Sequence, residues 1–386
     1  MKIQFRSVCL SAHLDSFCRQ LNELMSLEFV YQYDDPGKTR RKIGWIAEAT
    51  YQSGPMTKEA EMRACECDIL IDMLRELDIM EKRVAASKTT IYMSERWLKP
   101  LVVGRVRVPA ILRLLSPSYR RMVCRFVRLM DNPNFWMLPC GVHAARDFVR
   151  LYKLFHGGWR FLFQEPQITV SHNLGACVEG FSRIRLWGYF VEPSKQKWRT
   201  RSALKNEALR VLWCGGMVDW KHTDILIRAF LKMHDIRLLS LLIVGEGKEE
   251  ARLKRMAGKF REDKLGWVPN RICFSKYVSH ERVRELMREA DVYVMSSNSE
   301  EGWGAVVSEA LAEGCPVIST YEAGSSATLL PETNLYHSNS YEELAEKLVQ
   351  FNGGPVLYDE KEWSGVNAAD KLMEILKENH EGNRQD

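Results

Sequence analysis

The chain has 386 residues, of which 46% are hydrophobic and 27% charged, with a net charge of +5. That length exceeds one ordinary compact core and predicts two domains, while the composition excludes a disordered or fibrous chain. Ten cysteines are scattered, none at Cys-x-x-Cys spacing, and the Cys65–Cys67 pair has no His or Cys cluster beside it. This argues against a zinc site or a disulfide framework and predicts reduced thiols, as in cytosolic proteins. The opening MKIQFRSVCL is too short and polar for a secretory segment, and no window approaches eighteen uninterrupted apolar residues. The expectation is therefore a cytoplasmic protein without a transmembrane helix, free or resting on the inner face of the cell membrane.

In chain order, Lys2–Leu10 reads as a strand and His13–Met25 as a helix. Asp68–Ile71 and Thr89–Met93 are short apolar strands, each after a helical pattern, and Asn134–Leu138 precedes a helix at His143–Phe155. The polar stretch VEPSKQKWRTRSALKNE, 191–207, reads as a linker. Beyond it, strands at Leu209–Trp213, Leu241–Val244, Arg271–Phe274, Asp291–Met295 and Pro316–Ser319 alternate with helices at Asp224–Met233, Glu249–Ala257, His280–Ala290 and Ala305–Ala312. Such alternation predicts an α/β fold with a parallel sheet covered on both faces. The expected division is a first domain at 1–190, a linker at 191–207 and a second domain at 208–362. The closing helical segment, 363–380, would pack back on the first domain.

The strongest constellation is SEEGWGAVVSEALAEGCPVIST. Glu301 lies in a strand-to-helix loop, Gly302, Trp303 and Gly304 follow, and Glu309 falls about one turn into the next helix, eight positions after Glu301. Both carboxylates can line the crevice at the carboxyl end of a parallel sheet, where open α/β sheets bind ligands. Carboxylates suit paired sugar hydroxyls, glycines allow close approach, and a helix N-terminus favours a diphosphate. On spacing alone, two acids favoured by the helix dipole is the other reading. CGGMVDWK puts Gly215 and Gly216 in a tight turn with Lys221 at the mouth of the next helix, and VGEG puts Gly245 and Gly247 at another sheet end. Either could be an ordinary turn with a surface lysine, but all three loops would fall on one edge of one sheet.

From about Leu209 to Thr320 the sequence resembles the nucleotide-sugar-binding domain of glycosyltransferase family 4, of GT-B architecture, two Rossmann-like domains facing each other across a cleft. VLWCGGMVDWKHTDILIRAF, LLIVGEGKEEARL, ICFSKYVSHERVRELMREADVYVMSS and EEGWGAVVSEALAEGCPVIS carry the likeness, with the E-x7-E motif on Glu301 and Glu309. The resemblance implies that Glu309 holds the donor ribose and that Glu301 faces the transferred sugar. It also implies that Lys221 meets the diphosphate and the backbone of Tyr277 and Val278 meets the base. The family usually carries Arg where this chain has Gly216, and EAGSS after the last strand lacks the following Glu. The N-terminal half resembles, through HLDSFCRQL, MSERWLKP, LPCGVHAARDF and LWGYF, transferases of bacterial surface polysaccharides. There His143 is the candidate polar group at the reaction centre, with Glu95 and Arg96 second and His13 a third. A structural helix-capping or solvated histidine is the other reading of His143.

The implied activity is retaining transfer of a hexose from a UDP- or GDP-sugar to a saccharide or lipid-linked saccharide, with catalysis by Glu301, Lys221 and His143 through positioning and charge stabilisation. The nucleotide sugar is a co-substrate, and no cofactor, metal or nucleic acid is expected. A sugar-nucleotide epimerase or hydrolase, or a non-catalytic scaffold, are the alternatives. From Arg96 to Met130 there are nine Lys/Arg and no Asp or Glu, interleaved with apolar residues. This segment suits either an anionic membrane surface or a solvated helix face over an ordinary buried side.

Overall fold

The computed structural model describes residues 1–34, 41–42, 44–99, 101–103, 106–158, 169–192, 208–233, 238–258, 260–262, 265–353 and 358–382. Most of the linker expected at 191–207 lies outside the described residues. The chain divides into two units. One comprises 1–41, 45–191 and 361–386, and the other 42–44 and 192–360.

In the first unit, strands β1 (Lys2–Ser7), β2 (Ser26–Tyr31), β3 (Gln52–Pro55), β4 (Ile69–Asp72), β5 (Thr89–Ser94), β8 (Phe135–Pro139), β9 (Cys177–Val178) and β10 (Phe181–Arg185) form one sheet in the order β3-β2-β1-β4-β5-β8-β10-β9. All pair in parallel except β9. A short hairpin, β6 (Leu101–Val103) and β7 (Val106–Val108), stands apart. Helices α1 (Ala12–Leu24), α2 (Lys58–Glu66), α3 (Leu77–Ala85), α4 (Pro117–Met130) and α5 (Val142–Gly157) cover it. In α1, Leu14, Phe17, Cys18 and Leu21 recur at helical spacing and are all buried. Phe5 of β1 packs on Phe29 of β2 at 5.3 Å and on Phe17 of α1 at 6.3 Å, which ties sheet to helix. The C-terminal helix, Gly365–Gly382, docks on the same unit. A Cβ on Gly365 would lie 2.3 Å from Ser16 Oγ. Asn379 accepts from Trp136 Nε1 at 3.2 Å and donates to Thr89 Oγ1 at 2.8 Å.

The acid-free basic stretch is largely structural on its apolar side. Trp97, Leu98, Ile111, Leu114, Phe126 and Val127 are buried in the core of this unit, with Trp97 and Phe126 rings 4.3 Å apart. Arg125 pairs with Asp78 and Glu81 of α3, and Arg96 with Asp147 of α5. For these two arginines the acids come from neighbouring helices, which sequence-local counting does not see.

The second unit holds β11 (Leu209–Cys214), β12 (Leu239–Val244), β13 (Phe260–Glu262), β14 (Arg271–Ser275), β15 (Val292–Met295), β16 (Val317–Thr320) and β17 (Leu335–Tyr336). They form an all-parallel sheet in the order β13-β14-β12-β11-β15-β16-β17. The helices are α6 (Thr223–Met233), α7 (Glu250–Ala257), α8 (His280–Glu289), α9 (Ala305–Ala312), α10 (Gly324–Leu329) and α11 (Tyr341–Gln350). The LSLLIV run of β12 is buried throughout, as expected of a central strand covered on both faces. The order reverses at β11, whose neighbours are β12 and β15, so the loops after these strands flank a topological switch point.

Candidate active site

In the second unit the loops after β11 and β12 are interlocked. Gly245 has φ +142°, and a Cβ there would lie 1.9 Å from the carbonyl oxygen of Gly215. At Gly247 a Cβ would lie 2.3 Å from that of Met217. The close approach permits backbone bonds from Gly215 N to Val244 O (3.0 Å) and from Met217 N to Glu246 O (2.9 Å). Only residues without a side chain allow two loops to touch this closely. Gly216 faces Tyr277, whose hydroxyl lies 3.3 Å from the position of a Cβ there and donates to Glu246 O at 3.2 Å. Where the family pattern has Arg, this chain therefore has a phenol against bare backbone. Val278 follows Tyr277 in the loop between β14 and α8.

Lys221 closes a 3₁₀ turn, Asp219–Lys221, and its ammonium forms an ion pair with the Glu301 carboxylate, both side chains largely buried. The ammonium also lies 4.4 Å from the Trp220 ring centre. Asn298 ties the two loops together. Its N–H donates to Trp220 O at 2.9 Å, and its Oδ1 and backbone O accept from Glu300 N and Glu301 N. His222 Nδ1 lies 2.9 Å from Ser338 O, which can only accept, so that nitrogen carries the proton and Nε2 accepts from Asn298 Nδ2 at 3.3 Å. His222 itself has φ +46°. It is one of the few non-glycine residues held in the left-handed region, so the loop bearing Lys221 is fixed by side-chain bonds against local preference.

Glu309 in α9 is only 3% exposed, and its Oε1 accepts from His280 Nε2 at 2.6 Å. Beneath it Tyr293 Oη donates to Cys214 O at 3.0 Å. Burial pushes the Cys214 thiol and the Tyr293 phenol well up, with Glu309 adding to both, so both stay neutral below that carboxylate. At the far end of α9, Glu313 is clamped by Arg284 and Arg288 of α8. Gly304, at φ +81°, caps α9, and a Cβ there would meet Met295 Cε at 2.6 Å. Trp303 is fully buried and donates to Ser308 Oγ at 3.0 Å, so its indole anchors the Gly302–Gly304 loop to the first turn of α9.

In the first unit, His13, Glu95 and His143 all follow strand ends on the carboxyl edge of the sheet. The His13 ring lies 5.9 Å from Trp45 and 6.5 Å from Tyr189. Tyr189 Oη donates to Glu95 at 3.1 Å, and Lys99 Nζ pairs with the other carboxylate oxygen at 3.2 Å. Tyr189 thus links His13 and Glu95. His143 sits buried in the first turn of α5, after Gly141 at φ +93°. Asn298, His222, Tyr189 and His280 escaped the sequence reading, because their importance comes from neighbours distant in the chain. For His280 one signal was available: it opens the helix after β14, on the same edge as the loops already singled out.

Residues 194–359 match the family model of glycosyl transferases group 1. The chain is 28% identical over 179 residues to the GDP-mannose-dependent monoacylated alpha-(1-6)-phosphatidylinositol monomannoside mannosyltransferase of Corynebacterium glutamicum, a match covering 42% of this chain and 45% of that one. It is 24% identical over 177 residues to an uncharacterized glycosyltransferase of Methanocaldococcus jannaschii, covering 44% and 43%. The chain thus spans less than half the length of these curated relatives. The structure is similar to the apo form of the lipopolysaccharide outer core galactosyltransferase WaaB, with TM-score 0.62 and 12% identity over 98% of this chain and 99% of that one. At that identity the likeness speaks for the fold. The chain has the GT-B fold, two α/β units each built on a largely parallel sheet, and its residues 194–359 are similar to glycosyl transferases group 1.

Proposed function

We propose that the protein is a retaining glycosyltransferase that moves a hexose from a UDP- or GDP-sugar to a saccharide acceptor, lipid-linked, in cell-surface polysaccharide synthesis. The observation that carries this reading is the Lys221–Glu301 ion pair, together with buried Glu309 on the following helix, in loops at the carboxyl ends of strands within the region that matches glycosyl transferases group 1. Without donor, the ammonium and carboxylate neutralise each other. A donor would bring sugar hydroxyls to Glu301, ribose hydroxyls to Glu309 and its diphosphate to Lys221. The transition state breaks the bond between the anomeric carbon and the diphosphate, so negative charge grows on the leaving oxygen. Lys221 and the amides of the interlocked glycine loops stabilise that charge, and this reading assigns the task to no metal. Both acids hold hydroxyls, so neither is free to serve as the covalent nucleophile of a double displacement.

The lipid-linked acceptor is supported by the name of the mannosyltransferase relative, whose acceptor is a phosphatidylinositol mannoside. Among the described residues no helix is long and apolar enough to cross a membrane. Contact with an anionic surface would fall on exposed Arg121, Arg128 and Leu115, and co-sedimentation with anionic vesicles tests it. The activity itself is tested with UDP- and GDP-hexoses and a panel of lipid-linked saccharides. Sugar should reach the acceptor with its anomeric configuration kept, and Glu301→Ala should abolish transfer. Donor turnover without acceptor would instead mark an epimerase or hydrolase.

A further inference from the structure

Lys221 and Glu301 are 18% and 13% exposed, and among the described residues each is the other's sole ion-pair partner. The ammonium's second neighbour is the Trp220 ring, 4.4 Å from it. The loop after β11, GGMVDWK, carries no other Lys and no Arg. Any anion that enters this loop must therefore take its cation from Glu301.

The backbone around the pair is pinned. Ser296 Oγ donates to Lys221 O at 2.7 Å, Asn298 N to Trp220 O at 2.9 Å and Glu301 N to Asn298 O at 3.0 Å. The two loops thus keep their places, and an exchange of partners falls to the flexible stem of Lys221. Breaking a pair that is largely withdrawn from water leaves the abandoned charge uncompensated. A bare nucleoside diphosphate offers anionic oxygens to Lys221 and nothing to Glu301, so it strands a carboxylate beside like charge. A nucleotide hexose brings the same diphosphate together with hydroxyls. These donate to the carboxylate and offset its loss of Lys221.

We propose that the Lys221–Glu301 pair is a discriminating latch, which opens to a nucleoside diphosphate carrying a hexose and closes against the same nucleoside diphosphate without one. This rests on the assignment of the diphosphate to Lys221 and of the sugar hydroxyls to Glu301. After transfer the hexose leaves with the acceptor, Glu301 loses its hydroxyls and retakes Lys221, and the nucleoside diphosphate is displaced. Glu301 is thereby a specificity-determining residue that favours substrate over product by an unpaired charge set against the product.

The test is calorimetric titration with UDP, UDP-glucose, GDP and GDP-mannose. In the parent protein the nucleoside diphosphate should bind about tenfold more weakly than its hexose, the scale of one uncompensated charged contact. Glu301→Gln keeps the side-chain volume and removes the charge. It should tighten the nucleoside diphosphate by about tenfold and its hexose far less. In a Lys221→Met background the same substitution should have a clearly smaller effect, since no ammonium is there to be released. Three results overturn the latch: equal or tighter binding of the nucleoside diphosphate by the parent protein, no tightening in Glu301→Gln, or the same tightening with and without Lys221. Thermal unfolding checks that each variant is folded, and if Glu301→Gln is not, Glu301→Ala and the parent titration decide. A parent protein that binds none of the four ligands sinks the donor assignment and the latch together. One that binds them while Glu301→Gln brings no tightening sinks the latch alone.

Discussion

The Tyr277 hydroxyl lies 3.3 Å from the position a Cβ on Gly216 would occupy, while donating to Glu246 O. Adding that methyl group obliges the phenol to retreat by a few tenths of an ångström, at the expense of its hydrogen bond. Gly216→Ala should raise donor KM by about threefold, consistent with one neutral hydrogen bond. In Tyr277→Phe that bond is already absent, so the Gly216→Ala effect should shrink in the double variant. Steady-state kinetics of the four proteins measure the coupling, and strict additivity would refute the contact.

Lys221 should matter for the chemical step. Lys221→Met removes the cation proposed to meet the departing diphosphate and leaves Glu301 without its ion-pair partner. A drop in kcat of about a hundredfold is expected, the scale of losing one group that stabilises developing charge. Lys221→Arg should retain more activity. Single-turnover measurements with saturating donor check this, and a pure KM effect would assign Lys221 to ground-state binding.

Gly245 tests the interlocked loops. Its φ of +142° and a Cβ only 1.9 Å from Gly215 O leave no room for a side chain. Gly245→Ala should destabilise the protein by on the order of 3 kcal/mol, combining strain with overpacking. Gly258, at φ +67° and ψ −106° but facing open space, should lose only the backbone strain, about 1–3 kcal/mol, with no overpacking added. Urea unfolding compares the two.

In the first unit, Arg6 Nη1 and Asp72 Oδ2 pair at 3.2 Å with both side chains fully buried. Burial pushes the Asp72 carboxyl up to about 6, with Arg6 working against the rise. The folded state thus holds this proton more tightly than the unfolded chain. The resulting stabilisation is present below the ordinary carboxyl value and is lost as pH rises through about 6. Arg6→Met leaves the ionised acid unpaired, at a cost of roughly 3–5 kcal/mol near pH 7.5. At pH 5, where Asp72 can protonate, the cost should be clearly smaller. Denaturant unfolding at both pH values decides, and a pH-independent cost would contradict the buried-pair account.

The sequence by itself determined most of the second unit, because its strands and helices carry strong periodic burial and glycine follows β11 and β12 at once. The reading of Ala305–Ala312 coincides with α9, and Leu209–Trp213 falls one residue short of β11. Local pattern was weaker in the first unit. SLEFVY follows α1 with neither Gly nor Pro between them, and QSGP has almost no apolar signal, so β2 and β3 went unseen. Gly245 and Glu301 were legible as types at suggestive places. Tertiary structure alone decided which groups meet: Lys221 with Glu301 across 80 positions, His280 with Glu309, and Tyr277 over Gly216. It also turned Trp303 inward and buried the apolar side of the basic stretch. The physical reason is that periodicity reports which face of an element is covered, whereas a hydrogen bond depends on two side chains brought within about 3 Å by the packing of separate elements.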